Sequence, residues 1–203
     1  MLPVAYPGGE ADMPFIGDDD VAVEQVDDVS WDLLRRLTYA GKKDRFVVPR
    51  GMNTDFASIP RVFTWFLPRY GKYTKAAILH DYLWREKAVA GELTWLDADA
   101  LFRRAMRELD VAYLRRWIMW SAVRWGALMK PGGLRGWWRE SWRVVLFTLL
   151  ALPILLPPAI VILLSLLAFF LLELLFWVPL RVYAMIQGRP EKKVVLPTVP
   201  LKT

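Results

Sequence analysis

The chain has 203 residues, no cysteine and one histidine, with 27 Lys and Arg against 21 Asp and Glu. The lack of cysteine excludes disulfide frameworks, thiolate-bound zinc, iron–sulfur clusters and thiol nucleophiles, and the single histidine excludes any site that needs two imidazoles from one chain. Every basic residue lies at or after Arg35, whereas nine acidic residues precede it, so a basic body follows an acidic amino-terminal segment.

The first 130 residues divide into two parts. Residues 1–30 are rich in Pro, Gly and Asp, which predicts a flexible acidic arm with one short strand at Val21–Val26. Residues 31–130 have the mixed periodicity of a small α+β domain, with a few short strands and about three helices. Within this domain Arg45–Pro49 is a predicted strand that leads into a polar loop around Asn53.

Three helices are predicted in chain order. Apolar residues recur at three- and four-residue spacing over Lys72–Glu86, which is typical of a helix with one buried face. Thr94 is the predicted N-cap of a second helix that extends to about Asp110 and has carboxylates in its first turn. The third helix covers about Tyr113–Leu128 and ends before the breaker that starts at Lys130.

A long apolar segment follows the domain. Residues 131–143 form a basic, Trp-rich linker, residues 144–180 contain Glu173 as their one charge, and residues 181–203 form a basic, proline-containing tail. An apolar run of this length predicts a membrane segment. As one straight helix it would reach about 55 Å, well beyond a ~30 Å hydrocarbon core. Pro153, Pro157 and Pro158 lie near its middle, so the segment is predicted to be proline-broken and to form either a hairpin or a single span.

Residues on both flanks of this segment have the character of a membrane interface. Tryptophan rings at headgroup level and arginines that face anionic headgroups are expected there. The tendency of cationic flanks to stay in the cytoplasm favours the hairpin and places the soluble domain on the cytoplasmic side. The predicted interface residues are Arg135, Trp137, Trp138, Arg139, Trp142, Arg143, Trp177 and Arg181.

A polar cluster suggests a hydrolytic site as one interpretation. His80 would act as the base, Asp55 or Asp81 would orient it, and Ser58 would supply a nucleophile or position a water molecule. A related hypothesis places one divalent metal on Asp55, His80, Asp81 and Asp99, because one imidazole and several carboxylates are a suitable donor set.

A structural interpretation of the same cluster is equally specific. Asp55 and Ser58 would shape their loop through hydrogen bonds to the backbone, and His80 and Asp81 would satisfy buried amides of that loop. The alternation of Arg and Trp over residues 115–143 also allows nucleic-acid binding. Its position beside the apolar segment favours a bilayer with anionic headgroups as the partner.

Four segments resemble a family of small phage and prophage proteins described as a domain of unknown function. They are FVVPRGMNTDFASIPR, AAILHDYLW, DADALFRRAM and WIMWSAVRWGA, and they fall within about Trp31–Gly126. The polar positions that the resemblance implies are Thr54, Asp55, Ser58, His80, Asp81, Tyr82 and Asp99.

The resemblance implies a phage or prophage origin and brings no established activity. Together with the apolar segment, it leads us to expect an accessory or structural protein anchored in the host inner membrane or associated with the virion. Such a protein would act in virion assembly or in delivery of the genome, with other phage proteins or further copies of itself as partners. The alternative is a membrane-tethered hydrolase that uses the Asp, Ser and His cluster, with or without a metal.

Overall fold

Six short strands form two antiparallel sheets in the computed structural model, which describes residues 14–16, 20–41, 44–57, 59–130, 132–187 and 196–198. The strands are β1 Phe15–Ile16, β2 Val23–Gln25, β3 Trp31–Leu33, β4 Leu37–Ala40, β5 Arg45–Val48 and β6 Asn53–Thr54. One sheet has the order β1-β4-β5 and the other β2-β3-β6. The strands predicted at Val21–Val26 and Arg45–Pro49 correspond to β2 and β5, and most residues of the predicted arm at 1–30 lie in β1 and β2 or outside the described residues.

Three helices follow the sheets and match the predicted ones. They are α1 Thr74–Tyr82, α2 Trp95–Glu108 and α3 Tyr113–Ala127. A π-helical turn, Leu83–Lys87, continues α1. At the start of α2 the Thr94 hydroxyl accepts from the amide of Asp97, and the Asp97 carboxylate accepts from the amide of Thr94. This reciprocal capping box satisfies two backbone donors that a helix start leaves open.

The core of the domain lies where α1 packs against β4, β5 and α2, while α2 also packs against α3. Tyr39 of β4, Ile78 and Leu79 of α1, and Met106 of α2 are fully buried there. Burial of large apolar side chains is the main source of stability in such a domain. The α+β class predicted from the sequence is therefore the class found.

The chain forms two compact units. The first contains the described residues within 1–58 and 69–150, and the second those within 59–68 and 151–203. The second unit includes a 3₁₀ turn at Arg61–Phe63.

A single helix, α4, covers Trp137–Ile186 and passes through Pro153, Pro157, Pro158 and Pro179 without interruption. The hairpin alternative is therefore not the conformation found. Each proline removes its own backbone N–H bond and crowds the carbonyl four residues before it, but an apolar setting favours closing the other bonds within the helix. The helix also begins seven residues before the apolar run, inside the predicted linker at 131–143.

Gly133 lies in the connection between α3 and α4 at a point of close backbone approach. A Cβ atom added there would lie 1.9 Å from the carbonyl oxygen of Ala127. Such a distance is far below van der Waals contact, so only glycine fits without a shift of the backbone. Gly126, inside α3, has no atom within 4 Å of the same position.

We expect Gly133→Ala to lower the free energy of unfolding by about 1–3 kcal/mol, the range for an overpacked site. Gly126→Ala is the matched control and should leave stability unchanged or raise it by up to about 1 kcal/mol, because alanine favours a helix interior. Denaturant unfolding of the full chain in detergent, followed by tryptophan fluorescence, measures both. Equal effects of the two substitutions would contradict the close approach.

Candidate functional site

Asp99 lies at the centre of a buried polar cluster that joins three helices. Its side chain is fully buried on α2. Its Oδ1 atom lies 2.8 Å from Nε2 of His80 and accepts from Nε1 of Trp84 at 2.8 Å. Its Oδ2 atom accepts from Nη1 of Arg124 at 2.9 Å. Both carboxylate oxygens are therefore satisfied without water, as a buried charge requires.

Arg124 is the partner that sequence reasoning missed. The guanidinium, like Asp99, is fully buried, and the pair forms a salt bridge with no solvent exposure on either side. Among the described residues, Nε and Nη2 of Arg124 have no hydrogen-bond partner. The spacing of residues in α3 indicates that Arg124 lies on the buried face of the helix. Arg124 follows Trp120 by four residues and precedes Ala127 by three, and both of these residues are buried.

The cluster continues from Arg124 into the first turns of α4. Nε1 of Trp137 donates to the backbone carbonyl of Arg124 at 2.9 Å. Trp137 and Val144 are buried in one apolar cluster with Trp120. Trp137 therefore does not serve as the interface anchor expected from the sequence, because its ring lies in the core of the domain and its donor is already used.

The π-helical turn after α1 contains Trp84, whose indole N–H donates to Asp99. The amide of Ala88 bonds to the carbonyl of Leu83 at 2.8 Å, five residues back instead of four. Trp84 lies in this turn, and its ring packs against His80 at 5.7 Å and against Trp95 at 4.6 Å between ring centroids. His80 also packs against Phe102 at 4.7 Å. The imidazole is thus fixed by one carboxylate and two aromatic rings.

Asp81 belongs to a separate contact. It is half-buried, and its Oδ2 atom accepts from the hydroxyl of Thr54 at 2.6 Å. Thr54 in turn accepts from the amide of Phe56 at 2.9 Å, so the carboxylate supports the loop after β6. Burial, and to a smaller extent the nearby charge of Asp55, raises the pKa of Asp81 from 3.8 to about 6.

Asp55 and Ser58 complete the predicted hydrolytic set. Asp55 forms an exposed ion pair with Arg85 at 3.0 Å, and Ser58 lies outside the described residues. The structure therefore brings His80 together with Asp99 and Asp81 together with Thr54, while Asp55 is held by Arg85. No group of three or more His, Asp or Glu side chains within the described residues is arranged to hold a metal ion.

The predicted interface residues before the apolar run differ in exposure. Trp138 is 75% exposed and Trp142 is 61% exposed, whereas Trp137 is buried. Arg135 and Arg139 are exposed, and Arg143 donates to Glu140 at 3.0 Å while lying 5.1 Å over the Trp142 ring. Trp177 and Arg181, near the other end of α4, are half-buried.

Among the described residues, α4 is the one helix that is long and apolar enough to cross a membrane. Only 6% of its most apolar 18-residue window is buried. The core helix of a soluble protein is mostly buried, so this exposure is unlike that class. The chain is thus an α+β protein with a candidate membrane helix.

Comparison with known protein families gives a match to a family of uncharacterised proteins. Residues 31–123 match the model of a family described as "Protein of unknown function (DUF1353)". The match covers β3 through most of α3, includes His80 and Asp99, and ends one residue before Arg124. No curated protein and no solved structure matches the chain.

We expect Asp99→Asn to destabilise the full chain by about 3–5 kcal/mol, because it leaves the buried charge of Arg124 unpaired. The matched control is Asp55→Asn, which removes an exposed ion pair and should cost about 0–1 kcal/mol. Denaturant unfolding in detergent measures both. Similar losses for the two variants would show that the Asp99 cluster does not hold the domain together.

The raised pKa of Asp81 predicts a pH-dependent difference between wild type and Asp81→Asn. The folded state binds the Asp81 proton more tightly than the unfolded state does, so this group stabilises the fold less as pH rises from about 4 through 6. The side chain of the Asp81→Asn variant does not ionise. Relative to this variant, the free energy of unfolding of the wild type should fall by up to about 3 kcal/mol across this pH range. Unfolding free energies at a series of pH values measure the difference, and parallel curves for the two proteins would contradict it.

Proposed function

We propose that this protein is a membrane-anchored accessory protein in which α4 crosses the bilayer once and the α+β domain carries the interactions made at the membrane surface. The observation that carries the proposal is α4 itself. It is continuous over 50 residues, and its apolar stretch from Val144 to Leu180 has one charge, Glu173. Residues 151–180 alone would extend about 45 Å as a helix, enough for a ~30 Å hydrocarbon core.

Contacts between α3 and the first turns of α4 support an accessory role in which the domain is rigidly attached to α4. The rings of Trp117 and Phe147 stack at 4.7 Å between centroids and 10° between planes. Nε1 of Trp125 donates to the hydroxyl of Thr148 at 2.9 Å. Together with the Trp137 contact, these interactions make the first turns of α4 part of the domain core. A flexible linker would have none of them.

The buried polar cluster favours a structural role for the predicted site residues. A catalytic base must reach a substrate proton, whereas His80 is fixed between rings and its Nε2 lies against Asp99, which also accepts from Trp84 and Arg124. We therefore assign the cluster to stability and place the function at the membrane. The resemblance to phage and prophage proteins suggests virion assembly or genome delivery at a host membrane as the setting.

The absence of native cysteine allows a direct test of a single crossing. We expect the wild-type chain to stay in the membrane pellet after alkaline carbonate extraction. In sealed vesicles of known orientation, Leu134→Cys and Gln187→Cys should react with an impermeant maleimide from opposite sides, because they lie before and after α4. Ser165→Cys, in the middle of the apolar stretch, is the control and should stay unlabelled until detergent is added.

Labelling of the Leu134→Cys and Gln187→Cys variants from the same side would show a hairpin and contradict the single crossing. Release of the wild-type chain by carbonate would contradict membrane anchoring altogether.

A further inference from the structure

A cationic cavity lies beside β5, between the π-helical turn, α2 and the start of α3. Its volume is about 760 Å³, and Arg103, Arg107, Arg116 and Trp117 are among its lining residues. A second cavity of about 410 Å³ shares Arg103, Tyr113 and Trp117 with it. The second cavity is also lined by Trp142, Arg143, Leu146 and Phe147, so the pair extends along the first turns of α4.

The charges around the larger cavity are not balanced. Lys87 is paired with Glu92 at 2.8 Å, and Arg104 is paired with Asp44. Asp97 is used in the capping box of α2. Asp97 keeps its negative charge there, so the five cations of the lining (Lys87, Arg103, Arg104, Arg107 and Arg116) outnumber its three carboxylates (Asp44, Glu92 and Asp97).

The remaining cations of the larger cavity are Arg103, Arg107 and Arg116, on α2 and α3, while Arg143 of α4 lines the smaller cavity. Glu140 is the carboxylate that acts on Arg103, and it already accepts from Arg143 at 3.0 Å. Burial, and then the neighbouring arginines, lower the pKa of Arg103. A cluster of like charges with one shared carboxylate is stabilised by a bound anion.

Aromatic rings hold two of these guanidinium groups in place. Arg103 lies 4.2 Å over the ring of Trp117, and Arg116 lies 5.0 Å over the ring of Tyr113. Stacking covers the face of a guanidinium and leaves its N–H edge for a phosphate or carboxylate. The Nε atom of Arg103 is buried and has no hydrogen-bond partner among the described residues.

The position of the cavities selects a ligand that is both anionic and apolar. Leu146 and Phe147 line the smaller cavity and belong to the apolar run of α4. A phosphate that entered here would place any attached acyl chains beside a helix that we assign to the bilayer. Free phosphate would use only the arginines, and the bases of a nucleic acid would stack on the aromatic rings but leave the aliphatic side chain of Leu146 without a partner.

We propose that these two neighbouring cavities, which share Arg103, Tyr113 and Trp117, bind the phosphate headgroup of an anionic phospholipid through Arg103, Arg107, Arg116 and Arg143. The proposal rests on the membrane anchoring proposed above and names the lipid class that the anchored domain recognises. Arg107 and Arg116 are the residues to change, because Arg107 is exposed and Arg116 is half-buried. Arg116 also donates to the backbone carbonyl of Val111 at 3.2 Å, so Arg107→Gln alone is the change that leaves that contact intact.

The test uses the full chain in detergent micelles, with bound lipid counted by native mass spectrometry. We expect phosphatidylglycerol to bind saturably and phosphatidylcholine to bind without saturation. Arg107→Gln should weaken the affinity for phosphatidylglycerol about fivefold, and Arg107→Gln combined with Arg116→Gln should weaken it by about that factor again. Arg36→Gln, which removes an exposed arginine outside the cavities, is the matched control and should bind as wild type does.

Several results would overturn the proposal. Equal binding of the two lipids, or unchanged affinity in both cavity variants, would show that these arginines do not select a headgroup. Inorganic phosphate that displaces phosphatidylglycerol with equal affinity would assign the site to free phosphate. A thymidine oligonucleotide that binds more tightly and depends on the same arginines would assign it to nucleic acid. Each result leaves carbonate resistance unchanged, so the proposal can fail while membrane anchoring stands.

Discussion

The buried ion pair between Asp99 and Arg124 links the three helices of the domain to the start of α4. It lies between α2 and α3 with no solvent exposure on either side. The same carboxylate fixes His80 and Trp84, and the backbone carbonyl of Arg124 accepts from Trp137. One buried charge pair therefore aligns α1, α2, α3 and the start of α4. Such a pair adds little net stability over an apolar core, but it is costly to break on one side, so it favours a single arrangement of the helices.

This constraint explains how one chain can combine a polar domain with an apolar helix. A membrane helix attached by a flexible linker would leave its domain free to reorient. Here the contacts of Phe147 with Trp117 and of Thr148 with Trp125 continue the domain core along α4 for three turns. Outside the core, Arg103 and Arg116 lie over the rings of Trp117 and Tyr113. Arg103 and Arg143 both line the smaller cavity at the first turns of α4.

Sequence patterns predicted the helices of the domain well and its strands poorly, for physical reasons. Thr94 and Asp97 form a local capping signal, so the start of α2 could be located. Strands of two to four residues, such as β1 and β6, are too short for alternation to identify. The pairing of Asp99 with Arg124 depends on tertiary packing between residues 25 positions apart. Trp137 resembled an interface residue because its neighbours in the sequence are basic, and only the packing of α3 against α4 shows that it is buried.

The contacts of Asp99, Arg124 and Trp137 predict that the buried cluster and the start of α4 unfold as one cooperative unit. Hydrogen exchange of the full chain in lipid nanodiscs, compared between wild type and Asp99→Asn, measures this cooperativity. Amides of α1, α2, α3 and residues 137–150 should lose protection together in the variant, while residues 151–180 of the candidate membrane helix should stay protected by lipid. Loss confined to α2, or rapid exchange over residues 151–180 in the wild type, would contradict this prediction.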